Sequence, residues 1–343
     1  GMPRNMCLPW ALNSHSTNLS HRGLTAAWLG QQWEPIFGEF DGKASRKIGF
    51  PSADGAKAVS SHFDPFDGIT PESTFRVMAK TLVQHASKVG TAHKIASSAI
   101  ELPSGVTLDR LKARRNLLEQ FDQARRDLDQ SQLAQGFNRF QQMAFDMITS
   151  SDCATALDVT REPVSVREQY GYTLFGQATL AARRLIEARV PYVQLNWSQT
   201  VEAITPNFDF GWDTHIYNFE MLMDRHCPLL DRVLPELMND LHERGLLDET
   251  LVVVMSEFGR TPKINPRAAR DHWPQCYFSL WSGAGVPTGG TIGESDRLGE
   301  HPLTNPITPL MVGTTISELA GLTTQDRAEL NVLPGGTLID ELF

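Results

Sequence analysis

The chain has 343 residues, enough to bury a substantial core as one large domain or two of ordinary size. Its 31 Lys and Arg against 40 Asp and Glu leave a formal charge of −9, which argues against nucleic acid or another polyanion as a partner held by bulk electrostatics. No apolar run reaches the roughly 18 residues of a membrane span, and no charged start followed by an apolar stretch marks a signal peptide. Cys7, Cys153, Cys227 and Cys276 lie far apart without a CxxC pair, so a zinc knuckle is excluded and free thiols are expected.

Residues 1–75 are rich in Ser, Gly, Pro and Asn with Trp10, Trp28 and Trp33 interspersed, and they read as packed loops and short helices. Within this irregular N-terminal part, 1–106, the stretch from Pro51 to Pro71 has the turn chemistry of a long surface connection. Residues 107–150 change character. Leu108, Leu111, Leu118, Phe121, Ala124 and Leu128 recur at helical spacing behind a Thr107 cap, and a second helix over 136–149 completes a helical hairpin inserted beside the core. The pairs Arg114-Arg115 and Arg125-Arg126 read as a solvated face.

Further on, a helix is predicted over 173–189, a strand over 191–197 and a helix over 218–244, the last carrying Leu230, Val233, Leu234, Leu237, Met238 and Leu241 on one stripe. Pro235 predicts a kink or break in that helix, and Gly245 stands where it should end. A strand over 250–256, a strand near 276–282, a glycine-rich turn and a helix over 308–320 follow. Helices alternating with short, nearly all-apolar strands imply an α/β fold: a doubly wound, mostly parallel sheet flanked by helices, with its core in 170–343 of a single 1–343 domain.

In open α/β sheets ligands bind beyond the carboxyl ends of the strands. The polar residues of this chain gather in the corresponding stretches: Asp213-Thr214-His215 after the strand at 191–197, then Glu257, Arg260 and Lys263 after the strand at 250–256, and Arg270-Asp271-His272 in the same loop. Imidazoles with carboxylates suit zinc, manganese or iron, whereas magnesium and calcium prefer oxygen alone. Asp213, His215, Glu257, Asp271 and His272 are therefore the candidate metal ligands. Arg260, as a planar fork, and Lys263 are the candidates for gripping a phosphate or sulfate.

Each element also has a plainer reading: Asp213 as a turn cap, His215 as a loop histidine, Glu257 with Arg260 as a surface ion pair of small energetic worth. His15, His21, His62, His85 and His93 have no partner at ligand spacing, His226 and His242 read as solvent-facing on their helix, and His301 sits in a late loop that could approach the site. The stretch 282–290 matches neither dinucleotide nor P-loop spacing. Ser256 lacks the surround of a nucleophile elbow, so the sequence singles out no nucleophile.

Taken together, "RGLLDETLVVVMSEFGRTPKIN", "ARDHWP", "GWDTH" and "PITPLMVGTTISELAGL" resemble the bacterial family known as domain of unknown function 1501, which is sulfatase-like and belongs to the alkaline phosphatase superfamily. The resemblance covers the chain from Pro9 to Phe343 and is densest from Tyr170 onward. It implies metals at the carboxyl edge of the sheet, hydrolysis or transfer of phosphate or sulfate esters of small molecules or glycans, and a periplasmic or exported protein. By this resemblance Asp213, His215 and His272 match one metal's aspartate and two histidines. In "SEFG", where many relatives read Ser-Asp-His-Gly, Glu257 keeps a carboxylate but Phe258 cannot ligate. The second site then lacks an imidazole, which implies a single metal or a harder ion such as magnesium or calcium. The start of the chain resembles an interior portion of the family, so the expectation is an N-terminally incomplete domain, weakly active or inactive in isolation. The alternative reading is a non-catalytic protein that keeps a hydrolase fold and captures anionic ligands.

Overall fold

The computed structural model describes residues 2–8, 35–41, 45–51, 57–63, 69–77, 151–197, 212, 214, 218–304 and 306–343. The chain divides into two compact units, Gly1–Trp212 with Leu229–Leu237, and Asp213–Pro228 with Met238–Phe343.

In the first unit six strands form two sheets: β1 (Asn5–Leu8), β2 (Ile36–Asp41), β3 (Ser45–Pro51), β4 (Lys57–Phe63), β5 (Thr74–Val77) and β6 (Tyr192–Leu195). The larger sheet has the order β5-β2-β1-β6, with β1 parallel to β2 and to β6 and β5 antiparallel to β2. Central β1 buries Met6, Cys7 and Leu8 completely, as a parallel strand covered on both faces must. The other sheet is the antiparallel pair β3–β4, in register from Ser45↔Phe63 to Pro51↔Lys57.

Among the described residues, β1 to β4 and the start of β5 thus fall within 1–75, where loops and short helices are expected from the sequence, and the expected surface connection contains β4. The reason is physical. β1 is four residues long, too short to show a period, and β6, its parallel partner, lies in the other half of the chain. The hairpin over 107–150 lies outside the described residues.

Three helices complete this part: α1 (Ser151–Leu157), α2 (Val164–Tyr170) and α3 (Leu174–Glu187). Thr173 caps α3 by accepting from the Gly176 amide at 3.0 Å, and the helix is buried almost all round. Its polar residues are matched. Fully buried Arg183 pairs ionically with Glu162 at 3.0 Å and donates to Glu187 at 2.7 Å, while Arg184 shares Glu162 and reaches the Ala156 and Thr155 carbonyls at 3.0 and 2.7 Å. Arg167 is buried likewise, with Nε on Gln177 at 2.8 Å and Nη2 on the Ser73 carbonyl at 3.0 Å.

Next come α4 (Asn218–Met221), a π-turn over Leu222–His226 and α5 (Cys227–Glu243). Pro235 is accommodated inside α5 without the expected break; the irregularity sits at the π-turn instead. The buried row keeps Val233, Leu237 and Leu241 of the predicted stripe and adds Leu229, with Leu230, Leu234 and Met238 half-buried, and His226 is fully buried rather than solvent-facing. Gly245 ends the helix in the left-handed region, its amide donating to the His242 carbonyl at 2.9 Å.

In the second unit β7 (Val252–Met255) pairs antiparallel with β10 (Ser279–Ser282), and β8 (Gly259–Arg260) with β9 (His272–Trp273). Helix α6 (Pro309–Leu319) starts on a Thr308 cap, and α7 (Thr324–Glu329) on a Thr323–Asp326 capping box. Val286, Ile339 and Leu342 form the buried centre, with Leu251, Trp281 and Met311 packed against it. Among the described residues no helix is long and apolar enough to cross a membrane.

Two predictions follow from this packing. Glu162→Ala strips Arg183 and Arg184 of a shared buried carboxylate and should cost about 3 kcal/mol, measured by urea unfolding. All four cysteines are free thiols; burial pushes Cys7 up to about 12, against a smaller opposing effect of the Asn196 hydrogen bond, and Cys153 up to about 11. Because these native values lie above the ordinary 9.0, the contribution of the neutral thiols is fully present below about pH 9 and is lost as pH rises through about 11 to 12. At mildly alkaline pH iodoacetamide should therefore label exposed Cys227 first and reach Cys7 and Cys153 only on unfolding, as read by peptide mass spectrometry.

Candidate anion and metal site of the second unit

Strand β7 is an apolar run that ends in a bend, where the Ser256 hydroxyl donates to the Phe258 carbonyl at 2.9 Å. The next residue inward, Gly259, is a glycine for lack of room: a Cβ there would run into the Cys276 carbonyl oxygen. This close approach seats β8 so that it pairs with β9, Gly259 opposite Trp273 and Arg260 opposite His272. Directly opposed residues share a face of a ladder, so Arg260 and His272 project together. The Phe258 ring lies against the His272 imidazole, centroids 4.0 Å apart and tilted by 31°. Trp273 projects to the other face, where its indole N–H donates to the Glu300 carbonyl at 2.7 Å and its ring stands 6.0 Å from that of His301. The late loop does approach β9, but on the Trp273 side.

The loop between the two strands is tied across its base and at its tip. At the base the Thr261 amide donates to the Asp271 carbonyl at 2.9 Å and the Asp271 amide to the Thr261 hydroxyl at 3.1 Å. At the tip the Asn265 side-chain oxygen accepts from the Arg267 and Ala269 amides at 2.9 and 3.1 Å, an Asx-type turn that holds Ala268 in the left-handed region at φ 54°. The amide group of Asn265 donates to the Asp271 carboxylate at 3.1 Å. Arg270 braces the middle: Nη1 donates to the Thr261 and Pro262 carbonyls, both at 2.6 Å, and its own carbonyl accepts from Arg260 at 3.4 Å. Glu257, Lys263, Asp271 and His272 are exposed, and Arg260 is half-buried.

The other polar stretch enters through its neighbours. Asp213 and His215 lie outside the described residues, but Thr214 between them is buried and its hydroxyl accepts from the side-chain amide of buried Asn218 at 2.5 Å. Asn218 opens α4. The following residue, Phe219, carries the Arg270 guanidinium over its ring at 5.6 Å. Thr214 is therefore anchored to the helix that meets the loop bearing Arg260 and His272.

The model of a family described as a protein of unknown function, DUF1501, matches residues 2–330. The chain belongs to the DUF1501 family. No curated protein and no solved structure matches it.

Within this DUF1501 protein the β8–β9 ladder sets Arg260 opposite His272 and closes the loop that bears Lys263 and Asp271, while Glu257 stands in the bend before β8. Among the described residues no group of three or more His, Cys, Asp and Glu is gathered to hold a metal ion. Sequence reasoning missed three residues that build the site, Asn218, Phe219 and Asn265, and gave Thr214 no role of its own. Two signals were present, an Asn before Pro at the loop tip and a Thr and Asn four apart at the entry to a helix. Arg270 was legible as a polar neighbour of His272 but not as a brace.

Gly259→Ala should displace β8 from the Cys276 carbonyl and cost about 2 kcal/mol in urea unfolding, with faster proteolysis inside 260–272 as the local sign.

Proposed function

We propose that the second unit of this DUF1501 protein hydrolyses or transfers phosphate or sulfate esters of small molecules or glycans, assisted by a divalent ion. The ligands in this reading are Asp213, His215, Glu257, Asp271 and His272, and the ion is zinc, manganese, magnesium or calcium. The observation that carries it is the contact of Arg270 with Phe219, which ties the entry to α4, where Asn218 holds Thr214, the residue between Asp213 and His215 in sequence, to the ladder on which Arg260 stands opposite His272. The resemblance to the sulfatase-like members of the alkaline phosphatase superfamily supports the same chemistry, and the parallel pairing of β1 with β2 and β6 is compatible with the doubly wound sheet that the superfamily implies.

The chain's own residues would divide the work as follows. Arg260 offers a fork of donors beside His272 and grips two oxygens of the ester anion, while exposed Lys263 supplies a second, less directional charge. Arg270 does not compete for the anion, since its guanidinium is engaged by two backbone carbonyls. His272 has its ring plane set by Phe258, which leaves its nitrogens at the ring edge. Asp271 has one carboxylate oxygen fixed by Asn265. A bound divalent ion would lower the pKa of a water molecule and offset charge on the ester oxygens.

The test is metal analysis with turnover of 4-nitrophenyl phosphate and 4-nitrophenyl sulfate by the protein, with Arg260→Ala and His272→Ala as controls. Turnover that falls about 100-fold in Arg260→Ala supports the reading. Absence of both metal and turnover removes it. Salt-sensitive binding of sulfated or phosphorylated glycans without turnover, lost in Arg260→Ala, would instead assign the site to capture of anions.

A further inference from the structure

We infer that Arg270 is a positioning residue that couples the entry to α4 to the β8–β9 ladder, so that neither Thr214 with Asn218 nor the pair Arg260 and His272 can shift alone. The inference rests on the proposed function only in taking the two stretches to serve one site. The coupling itself is a matter of packing and has its own readout.

The chain of contacts is continuous. Buried Asn218 holds buried Thr214 through a 2.5 Å hydrogen bond, and Phe219 follows it on α4. The Arg270 guanidinium carbon stands over the Phe219 ring, 5.6 Å from its centroid, while Nη1 of the same group donates to the Thr261 and Pro262 carbonyls at 2.6 Å. Thr261 is bonded in both directions to Asp271, the residue before His272. The Arg270 carbonyl in turn accepts from Arg260.

Only arginine fits both duties. A guanidinium is planar, so it can lie over a ring and donate in its own plane at once, whereas the ammonium of lysine is a point charge on a flexible stem. A purely local brace would need the carbonyls of 261 and 262 and nothing from α4. The ring contact extends the brace to a segment some fifty residues earlier in the chain.

The experiment compares Phe219→Leu, Arg270→Lys and the double variant, each checked for folding by circular dichroism, using amide hydrogen exchange resolved by peptide. Phe219→Leu should speed exchange about threefold in the peptide spanning 261–271, and Arg270→Lys should do the same in the peptide spanning 214–221. The double variant should be no worse than the more severe single one, because both break one link. Effects confined to each variant's own segment, or effects that simply add, would overturn the coupling. If Arg270→Lys does not fold, the response of 261–271 to Phe219→Leu decides by itself.

A second readout separates the coupling from the function. Zinc affinity measured by calorimetry should fall about tenfold in Phe219→Leu, a residue with no metal-binding atom, as expected when a support of the ligands is loosened. Reciprocal exchange effects in a protein that takes up no zinc and turns over neither aryl ester would confirm the coupling and remove the hydrolase reading. Zinc binding that is unchanged by Phe219→Leu, together with unchanged exchange in 261–271, would overturn the coupling and leave that reading intact.

Discussion

Two residues of paired backbone, Gly259–Arg260 against His272–Trp273, decide where the polar side chains of the second unit's loop stand. So short a ladder has little strength of its own, because closing the loop between its strands costs entropy that two paired residues barely offset. Side chains supply the remainder. Thr261 and Asp271 extend the pairing by one step, Asn265 folds the tip and Arg270 ties the near side of the loop to the helix before it. The glycine matters as much as any of these. Its missing Cβ lets β8 lie against the Cys276 carbonyl, and without that approach Arg260 would not come opposite His272.

Much of the architecture was legible wherever an element is long and its burial simple. The apolar runs gave β6, β7 and β10, the 3.6-residue period gave α3, α5 and α6, and Gly245 marked its helix end for the expected steric reason. The first 75 residues were not legible in the same way. A four-residue strand such as β1 shows no period, and its assignment depends on a partner far away in the chain. Pro235 does not break its helix: a proline deletes one donor, and the packed row of Leu229, Val233, Leu237 and Leu241 continues on both sides of it.

For the site, residue types were legible and geometry was not. Glu257, Arg260, Asp271 and His272 stand out as polar residues after an apolar strand, yet nothing in their spacing says that 260 and 272 face one another. Two arginines ten residues apart look equivalent on paper. In the folded chain Arg270 is engaged by backbone carbonyls and an aromatic ring, and Arg260 stands beside the imidazole. Phe258 also acquires a positive role. It cannot bind a cation, but it sets the plane of the neighbouring imidazole, and a ring fixed in this way loses less freedom when one of its nitrogens is engaged.

The π-turn between α4 and α5 acts as a register adjuster. Buried Met221 and His226 are five positions apart where an α-helix would use three or four, and the wide turn over Leu222–His226 absorbs the surplus so that both still face inward. Loss of one residue inside that turn would leave an ordinary helical turn with the flanking rows in phase. The same loss between Leu229 and Leu241 would swing every later side chain of the helix by about 100° and bring its polar edge into the core. Length changes along this helix are therefore harmless at one turn and ruinous two turns later.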